Sequence, residues 1–157
     1  MKPELHPTTE ILAPLLGVWR GEGQGEYPTI EPFSYGEEVT FSHVGKPFLA
    51  YAQRTWSLAD GAPLHGESGY WRPLDGGRIE VVLAHPFGAA EVLVGTVAGV
   101  AIRLVSQQVA TTPSAKRIDG SERDLDVEGD TLRYVVRMAA VGQPLRHHLA
   151  GALRRVT

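Results

Sequence analysis

The sequence predicts an all-β protein, an antiparallel up-and-down barrel of about ten strands with a short N-terminal helix. From residue 17 onward, apolar and polar residues alternate with a period of two, as in strands that bury one face. Gly, Pro and Asp residues divide this pattern into segments at a spacing of roughly 10 to 15 residues. An open sheet of so many strands would expose its edges, and closure into a barrel removes them.

The elements follow in order along the chain. The helix is predicted over residues 9–16, with Thr8 or Thr9 as its N-cap and Gly17 as its end. The strands are predicted over residues 17–27, 35–43, 47–58, 63–72, 77–85, 89–97, 100–108, 115–128, 131–140 and 146–156. The ninth strand separates its faces clearly, since Leu132, Tyr134, Val136 and Met138 alternate with Thr131, Arg133 and Arg137.

Length and composition narrow the function classes. A chain of 157 residues is predicted to form one domain over residues 1–157. A net charge of -3 lacks the basic surplus that a nucleic-acid partner requires. The absence of cysteine excludes disulfides and thiol nucleophiles, and favours a cytoplasmic location. The N-terminal apolar stretch is short and broken by Pro14, so we expect neither a signal peptide nor a membrane partner.

The first strand, GVWRGEGQGEY, carries a row of small residues on the face that alternation turns inward. Its odd positions are Gly17, Trp19, Gly21, Gly23 and Gly25, and its even positions are mostly polar. Glycine within a strand forfeits packing, so the row has two interpretations. Either the sheet bends sharply here with Trp19 closing one end, or the row leaves room for a flat ligand.

The segments GVWRGEGQGEYPTI, PLHGESGYWRP, IEVVLAH, YVVRM and QPLRHHL together resemble the nitrobindins, small haem proteins built as ten-stranded antiparallel barrels. The likeness covers nearly the whole chain. It implies one ferric b-type haem per chain, bound through a single histidine, with nitric oxide and peroxynitrite as small-molecule ligands. It also implies isomerisation of peroxynitrite to nitrate. The haem would be non-covalent, because the sequence has no CxxCH attachment site.

Two neighbouring histidines compete for the iron. His147 and His148 lie in the last predicted strand and must face opposite sides. Alternation favours His147, because Leu149 and Leu153 share its face. The resemblance favours His148, since the family's proximal histidine immediately precedes this leucine. We follow the motif and predict His148 as the metal ligand and catalytic centre, because a strand entered after Pro144 can carry a bulge.

Further haem contacts come from the resemblance alone. It brings Thr29, His65, His85 and Met138 close to the haem, and Lys116 matches a family lysine that could reach a propionate. His85 stands where the family pattern has glutamine, so it could hydrogen-bond a ligand, bind the iron or remain at the rim. With haem as the flat ligand, the predicted cofactor contacts also include Gly17, Trp19, Gly21 and Gly23.

Three functions remain open at this stage. The first is a haem enzyme that acts on peroxynitrite as a Lewis acid, without a protein base. The second is a carrier or sensor of haem and nitric oxide without useful turnover. The third is a fatty-acid-binding type of carrier without haem, which would be favoured by an inward arginine pair that the sequence does not reveal. A homodimer is also left open.

Overall fold

Ten antiparallel strands close into a barrel in which each strand pairs with its neighbours in sequence and the first pairs with the last. The computed structural model describes residues 2–157, so residue 1 of the predicted domain lies outside the described part. The predicted fold class is confirmed. The strands are β1 (Gly17–Tyr27), β2 (Ile30–Ser42), β3 (Leu49–Ser57), β4 (Pro63–Pro73), β5 (Arg78–His85), β6 (Ala89–Ala98), β7 (Ala101–Thr111), β8 (Ile118–Glu128), β9 (Thr131–Ala140) and β10 (Arg146–Arg155).

The second strand begins earlier than the sequence predicts. Residue 35 is its predicted start, but pairing extends back to Ile30, which lies opposite Tyr27 across a two-residue turn. Pro32 lies within this extension, and a proline is tolerated in a strand where its missing N–H costs no ladder bond. The remaining strand ends lie within three residues of their predicted positions.

The N-terminal helix is a 3₁₀ helix over Pro7–Leu15, and the predicted N-caps Thr8 and Thr9 are wrong. His6 is the N-cap, because its Nδ1 accepts a hydrogen bond from the backbone N–H of Thr8 at 3.1 Å. Pro7 and Pro14 each lack an N–H donor, which limits regular α-helical bonding in so short a segment. A second 3₁₀ turn spans Asp75–Gly77.

The helix covers one end of the barrel, and the apolar core fills that end. Trp19 is completely buried there and donates its indole N–H to the carbonyl of Leu15 at 2.8 Å. The guanidinium of Arg155 lies 4.3 Å from the Trp19 ring and donates to the carbonyls of Pro14 and Leu16. Large residues from every side pack around Trp19, among them Leu12, Phe41, Leu49, Trp71, Ile79, Leu93, Leu104, Leu132 and Leu153. This end is closed.

The glycine row of β1 is filled by side chains from neighbouring strands. A β-carbon at Gly23 would overlap the ring of Tyr35, and one at Gly25 would overlap the ring of Phe33. Both rings belong to β2 and line the open half of the barrel. The row therefore admits aromatic rings over the β1 backbone, which is a packing role for glycine.

Within residues 2–157, no helix combines the length and apolar character needed to cross a membrane.

Candidate functional site

The barrel end opposite Trp19 opens into a cavity of about 560 Å³. This size is typical of small-molecule and cofactor sites. The cavity lies where β2, β4, β6, β8 and β10 begin and where their partners end, and side chains from β2 through β10 face it. Its upper wall is apolar and includes Ile30, Phe33, Leu64, Phe87, Val109, Ile118, Val136, Met138 and Leu149.

A bulge in β10 determines which of the two neighbouring histidines faces the cavity. His147 pairs with Arg137 and Leu149 pairs with Val136, so one residue on β10 has no counterpart on β9. His148 is that residue, and both it and Leu149 line the cavity while His147 is exposed. The extra residue breaks the strict alternation that favoured His147.

The surroundings of His148 fix the roles of its two ring nitrogens. Nδ1 lies 2.9 Å from the backbone carbonyl oxygen of Glu26, which can only accept, so Nδ1 carries the proton. The Tyr27 ring meets the imidazole edge-on at 5.2 Å between centroids. Burial lowers the pKa of His148, which favours the neutral ring. Nε2 is therefore left with a free lone pair, the state that a metal-binding imidazole requires.

A layer of buried polar side chains separates the cavity from the apolar core. Arg123 of β8 donates to Glu67 of β4 at 2.6 Å and to Glu91 of β6 at 3.4 Å. Burial alone would raise the pKa of both carboxyl groups, but Arg123 and hydrogen bonds from His65 and His85 reverse this. The pKa of Glu67 falls well below its usual range and that of Glu91 falls to about 2. Both glutamates are therefore ionised and paired with a buried guanidinium.

A second part of this layer joins the carboxyl group of Glu37 to two phenols and an amide. Tyr134 donates to Glu37 at 2.6 Å, and the Tyr35 and Tyr134 hydroxyls lie 2.5 Å apart. Gln53 donates to the other oxygen of Glu37 at 2.7 Å. Burial is the main cause that raises the pKa of Glu37, Tyr35 and Tyr134. These groups favour their protonated forms within the barrel.

His65 and His85, two of the residues that the resemblance brings close to the haem, lie together at the mouth of the cavity. His65 Nε2 is 3.4 Å from His85 Nδ1 and 3.3 Å from a Glu67 oxygen. His85 Nε2 is 3.0 Å from a Glu91 oxygen. The two rings are stacked, and Phe87 packs beside them.

The other predicted site residues divide into two groups. Met138 and Lys116 line the cavity, Met138 in its wall and Lys116 in the exposed loop before β8. Thr29 is exposed in the turn between β1 and β2, beside the lining residue Ile30. The remaining four predicted cofactor contacts lie on β1 and do not line the cavity wall. They are Gly17, Trp19, Gly21 and Gly23. Their placement supports a packing role and gives no support to cofactor contact.

Sequence reasoning missed the buried charges. Glu37, Glu67, Glu91 and Arg123 all occupy strand positions in phase with buried neighbours, so alternation contained the signal. Charged residues in strands were assigned to the solvent face because they are seldom buried unless they are paired.

A family model described as "THAP4-like, heme-binding beta-barrel domain" matches residues 8–155 of this chain. The chain belongs to this family. The match covers both His148 and the paired histidines at the mouth, and it confirms the resemblance to the nitrobindins. The family description names haem binding. This property agrees with a cavity of cofactor size that the imidazole of His148 faces.

Curated relatives and a solved structure agree with this assignment to the THAP4-like family. The chain is 54% identical over 159 residues to "Peroxynitrite isomerase 2" of Mycobacterium marinum, with 99% of both chains covered. It is 54% identical over 159 residues to "Peroxynitrite isomerase 1" of Mycolicibacterium paratuberculosis, with the same coverage. A crystal structure of a protein from M. tuberculosis, 48% identical, superposes with a TM-score of 0.92 over 98% of this chain and 100% of that one.

Proposed function

We propose that this chain binds one non-covalent b-type haem through His148 and isomerises peroxynitrite to nitrate. The observation that carries the proposal is the imidazole of His148. This ring faces the cavity, and its Nδ1–H donates a hydrogen bond to the Glu26 carbonyl. Relatives about half identical over their full length are named peroxynitrite isomerases, which supports the same reaction here. The ferric state and the binding of nitric oxide belong to the same proposal.

The residues of the cavity fit a haem. His148 supplies a neutral nitrogen, and its carbonyl partner fixes the orientation of the ring. The apolar side chains around it, including Val136, Met138 and Leu149, suit a porphyrin face. Lys116 is exposed at the rim, where it can pair with a propionate. With one protein ligand, ferric haem supplies an open coordination position that acts as a Lewis acid.

The reaction makes few demands on the protein. Peroxynitrite and nitrate have the same atoms and charge, so the O–O bond breaks and the terminal oxygen transfers to nitrogen with no net gain of protons or electrons. The chain's role is to orient the anion, to exclude water and to retain reactive fragments. The apolar upper wall serves the last two purposes.

Two tyrosines line the cavity in which peroxynitrite would react. Tyr35 and Tyr134 hold their hydroxyl protons in bonds to each other and to Glu37, and burial raises the pKa of both phenols. Neutral, hydrogen-bonded phenols are less prone to oxidation than phenolates, so we expect both tyrosine side chains to stay unmodified beside a reactive substrate.

The lipid-carrier alternative is disfavoured by the state of Arg123. Within residues 2–157, it is the arginine that lines the cavity, and both of its nearest partners are ionised glutamates. A fatty-acid carboxylate would have to displace Glu67 or Glu91 from Arg123. The displaced glutamate would then be a buried negative charge without its cationic partner. The carrier or sensor of nitric oxide uses the same haem site, so turnover is what distinguishes it from an enzyme.

A stopped-flow measurement of peroxynitrite decay tests the proposal. Substoichiometric haem-loaded protein should accelerate the decay and raise the ratio of nitrate to nitrite among the products. Apo protein and free hemin at equal concentrations are the controls. Decay and product ratios equal to these controls would reject turnover, and a saturable nitric oxide spectrum in that case would support the carrier.

A further inference from the structure

Three potential metal ligands converge at the cavity mouth. We call them the mouth triad: His65 and Glu67 of β4, and His85 at the end of β5. His65 Nε2 lies 3.3 Å from Glu67 Oε1 and 3.4 Å from His85 Nδ1. His85 Nδ1 lies 3.9 Å from the same glutamate oxygen. All three side chains line the cavity, so a bound ion would be accessible from it.

These separations match the spacing of ligand atoms around zinc. Zinc binds histidine nitrogens and carboxylate oxygens at about 2.0–2.1 Å, and tetrahedral geometry then separates two ligand atoms by about 3.3 Å. Two sides of the triad have this length already, and the third is longer by about half an ångström. The long side joins His85 Nδ1 to Glu67 Oε1, so a movement of about half an ångström by the His85 ring or the Glu67 carboxylate would close it.

Hydrogen-bond partners hold two of the three ligand atoms, His85 Nδ1 and Glu67 Oε1, in the state that a metal requires. Glu91 accepts a hydrogen bond from His85 Nε2 at 3.0 Å, so Nε2 carries the proton and Nδ1 presents its lone pair to the triad. A histidine that donates its second nitrogen to a carboxylate is the usual arrangement around a bound metal. Tyr51 and Arg123 donate to Glu67 Oε2 at 3.0 and 2.6 Å, which orients the carboxylate so that Oε1 faces the histidines.

The charge around the triad favours a cation. Glu67 and Glu91 carry two negative charges, and Arg123 supplies one positive charge, so the group is left with one net negative charge. Arg123 approaches the far oxygen of Glu67 more closely than the near one, at 2.6 against 3.3 Å. Without an ion, the single proton of His65 Nε2 is shared between two acceptors, Glu67 Oε1 and His85 Nδ1.

We propose that the mouth triad is a binding site for a divalent metal ion of the zinc class, with His65 Nε2, Glu67 Oε1 and His85 Nδ1 as its ligands. The fourth position opens into the cavity, as it does in zinc sites that bind a water or a substrate. The site is built from β4 and β5 and does not use His148 of β10.

The test is a zinc titration of the untagged, haem-free full chain, in competition with a chromogenic chelator. We expect one equivalent of Zn²⁺ to bind saturably. The His65→Ala variant should weaken this binding by more than about 100-fold, because loss of an outer partner alone typically costs about 10–100-fold. His147→Ala removes an exposed histidine outside the triad and should bind zinc like the parent.

Two further measurements keep the test decisive. His65 is partly exposed, so its variant should fold, and circular dichroism checks this. Glu91→Gln keeps all three ligands and should weaken zinc by about 10–100-fold. Co²⁺ should give the intense visible absorption of a four-coordinate ion in the parent and in His147→Ala, and His65→Ala should lose it. No saturable binding in the parent, or equal binding by the parent and His65→Ala, would overturn the proposal. Hemin is absent throughout, so neither result depends on the proposed isomerase function.

Discussion

Glu37 is a buried carboxyl group whose direct partners are neutral. Tyr134 and Gln53 donate to its two oxygens, and burial raises its pKa. Among the described residues, the Gln53 amide oxygen is buried without a partner. If Glu37 is protonated, a flipped Gln53 amide accepts its proton through the amide oxygen, and the amide NH₂ then takes the buried position that has no partner.

Replacement of this residue should change how stability depends on pH. A carboxyl group with a raised pKa in the folded state costs stability as pH rises from its ordinary pKa of 4.5 toward the folded value. Glu37→Gln removes that loss, so the free energy of unfolding of the variant should gain on the parent from about pH 4.5 upward. Urea denaturation between about pH 4 and pH 8 measures the difference.

The neighbouring Glu38 is the matched control because it points outward. Hydrogen bonds from Arg20 and Arg54 lower its pKa, so its contribution to stability is present above pH 4.5 and is lost as pH falls. Glu38→Gln should therefore shift the profile in the opposite direction. If the free energy of unfolding of both variants changed with pH in the same direction relative to the parent, the raised pKa of Glu37 or the lowered pKa of Glu38 would be contradicted.

At the scale of single strands, glycine and aromatic residues form cross-strand pairs. Gly23 of β1 lies opposite Tyr35 of β2, whose ring occupies the space of the missing β-carbon. Gly151 of β10 accommodates Tyr134 of β9 in the same manner. The two hydroxyls then meet above β1 and β10. The glycines thus set the position of the tyrosine pair that borders the cavity.

The Gly23→Ala substitution should destabilise the barrel by about 1–3 kcal/mol, because the new methyl group overlaps a buried ring. In a Tyr35→Ala background the same change should cost less than about 0.5 kcal/mol, since the ring is gone. Thermal or urea unfolding of the four proteins gives the coupling. Additive changes in unfolding free energy would show that the packing of the Tyr35 ring does not depend on a glycine at position 23.

The strands and their faces could be predicted from sequence because alternation reports burial directly. The two departures have local causes. The early start of β2 at Ile30 depends on a tight turn after Tyr27. A proline at position 32 makes this part of the strand hard to predict from its sequence. The bulge at His148 adds one residue to β10 and leaves no mark in the alternation, so the resemblance alone indicated this histidine.

At the scale of the whole molecule, the barrel consists of an apolar half closed around Trp19 and an open half around the cavity. Arg123, Glu67 and Glu91 lie between them and connect β8, β4 and β6 across the interior. Alternation places each of these charges on the inward face, but sequence could not predict their pairing, because only the closed barrel brings the three strands together. Their mutual pairing is what makes burial tolerable.

Loss of the central cation should therefore cost more than loss of a surface cation. Arg123→Met leaves two buried carboxylates without their cationic partner and should destabilise the protein by about 3–5 kcal/mol. Adding Glu67→Gln and Glu91→Gln should restore much of this loss. Arg137 pairs with Glu122 and Asp124 on the outer face, and Arg137→Met should cost about 1 kcal/mol or less. Equal unfolding free energies for the two arginine variants would contradict this difference.

The assignment of His148 as the haem ligand is tested most directly by hemin titration of the apo parent, His148→Ala and His147→Ala, followed by Soret absorbance. The parent and His147→Ala should give the same histidine-ligated spectrum and saturate near one equivalent, because the ring at position 147 is exposed. His148→Ala should lose this spectrum, since it removes the imidazole that faces the cavity. Loss of the spectrum in His147→Ala with retention in His148→Ala, or a response indistinguishable from free hemin in all three proteins, would contradict the assignment.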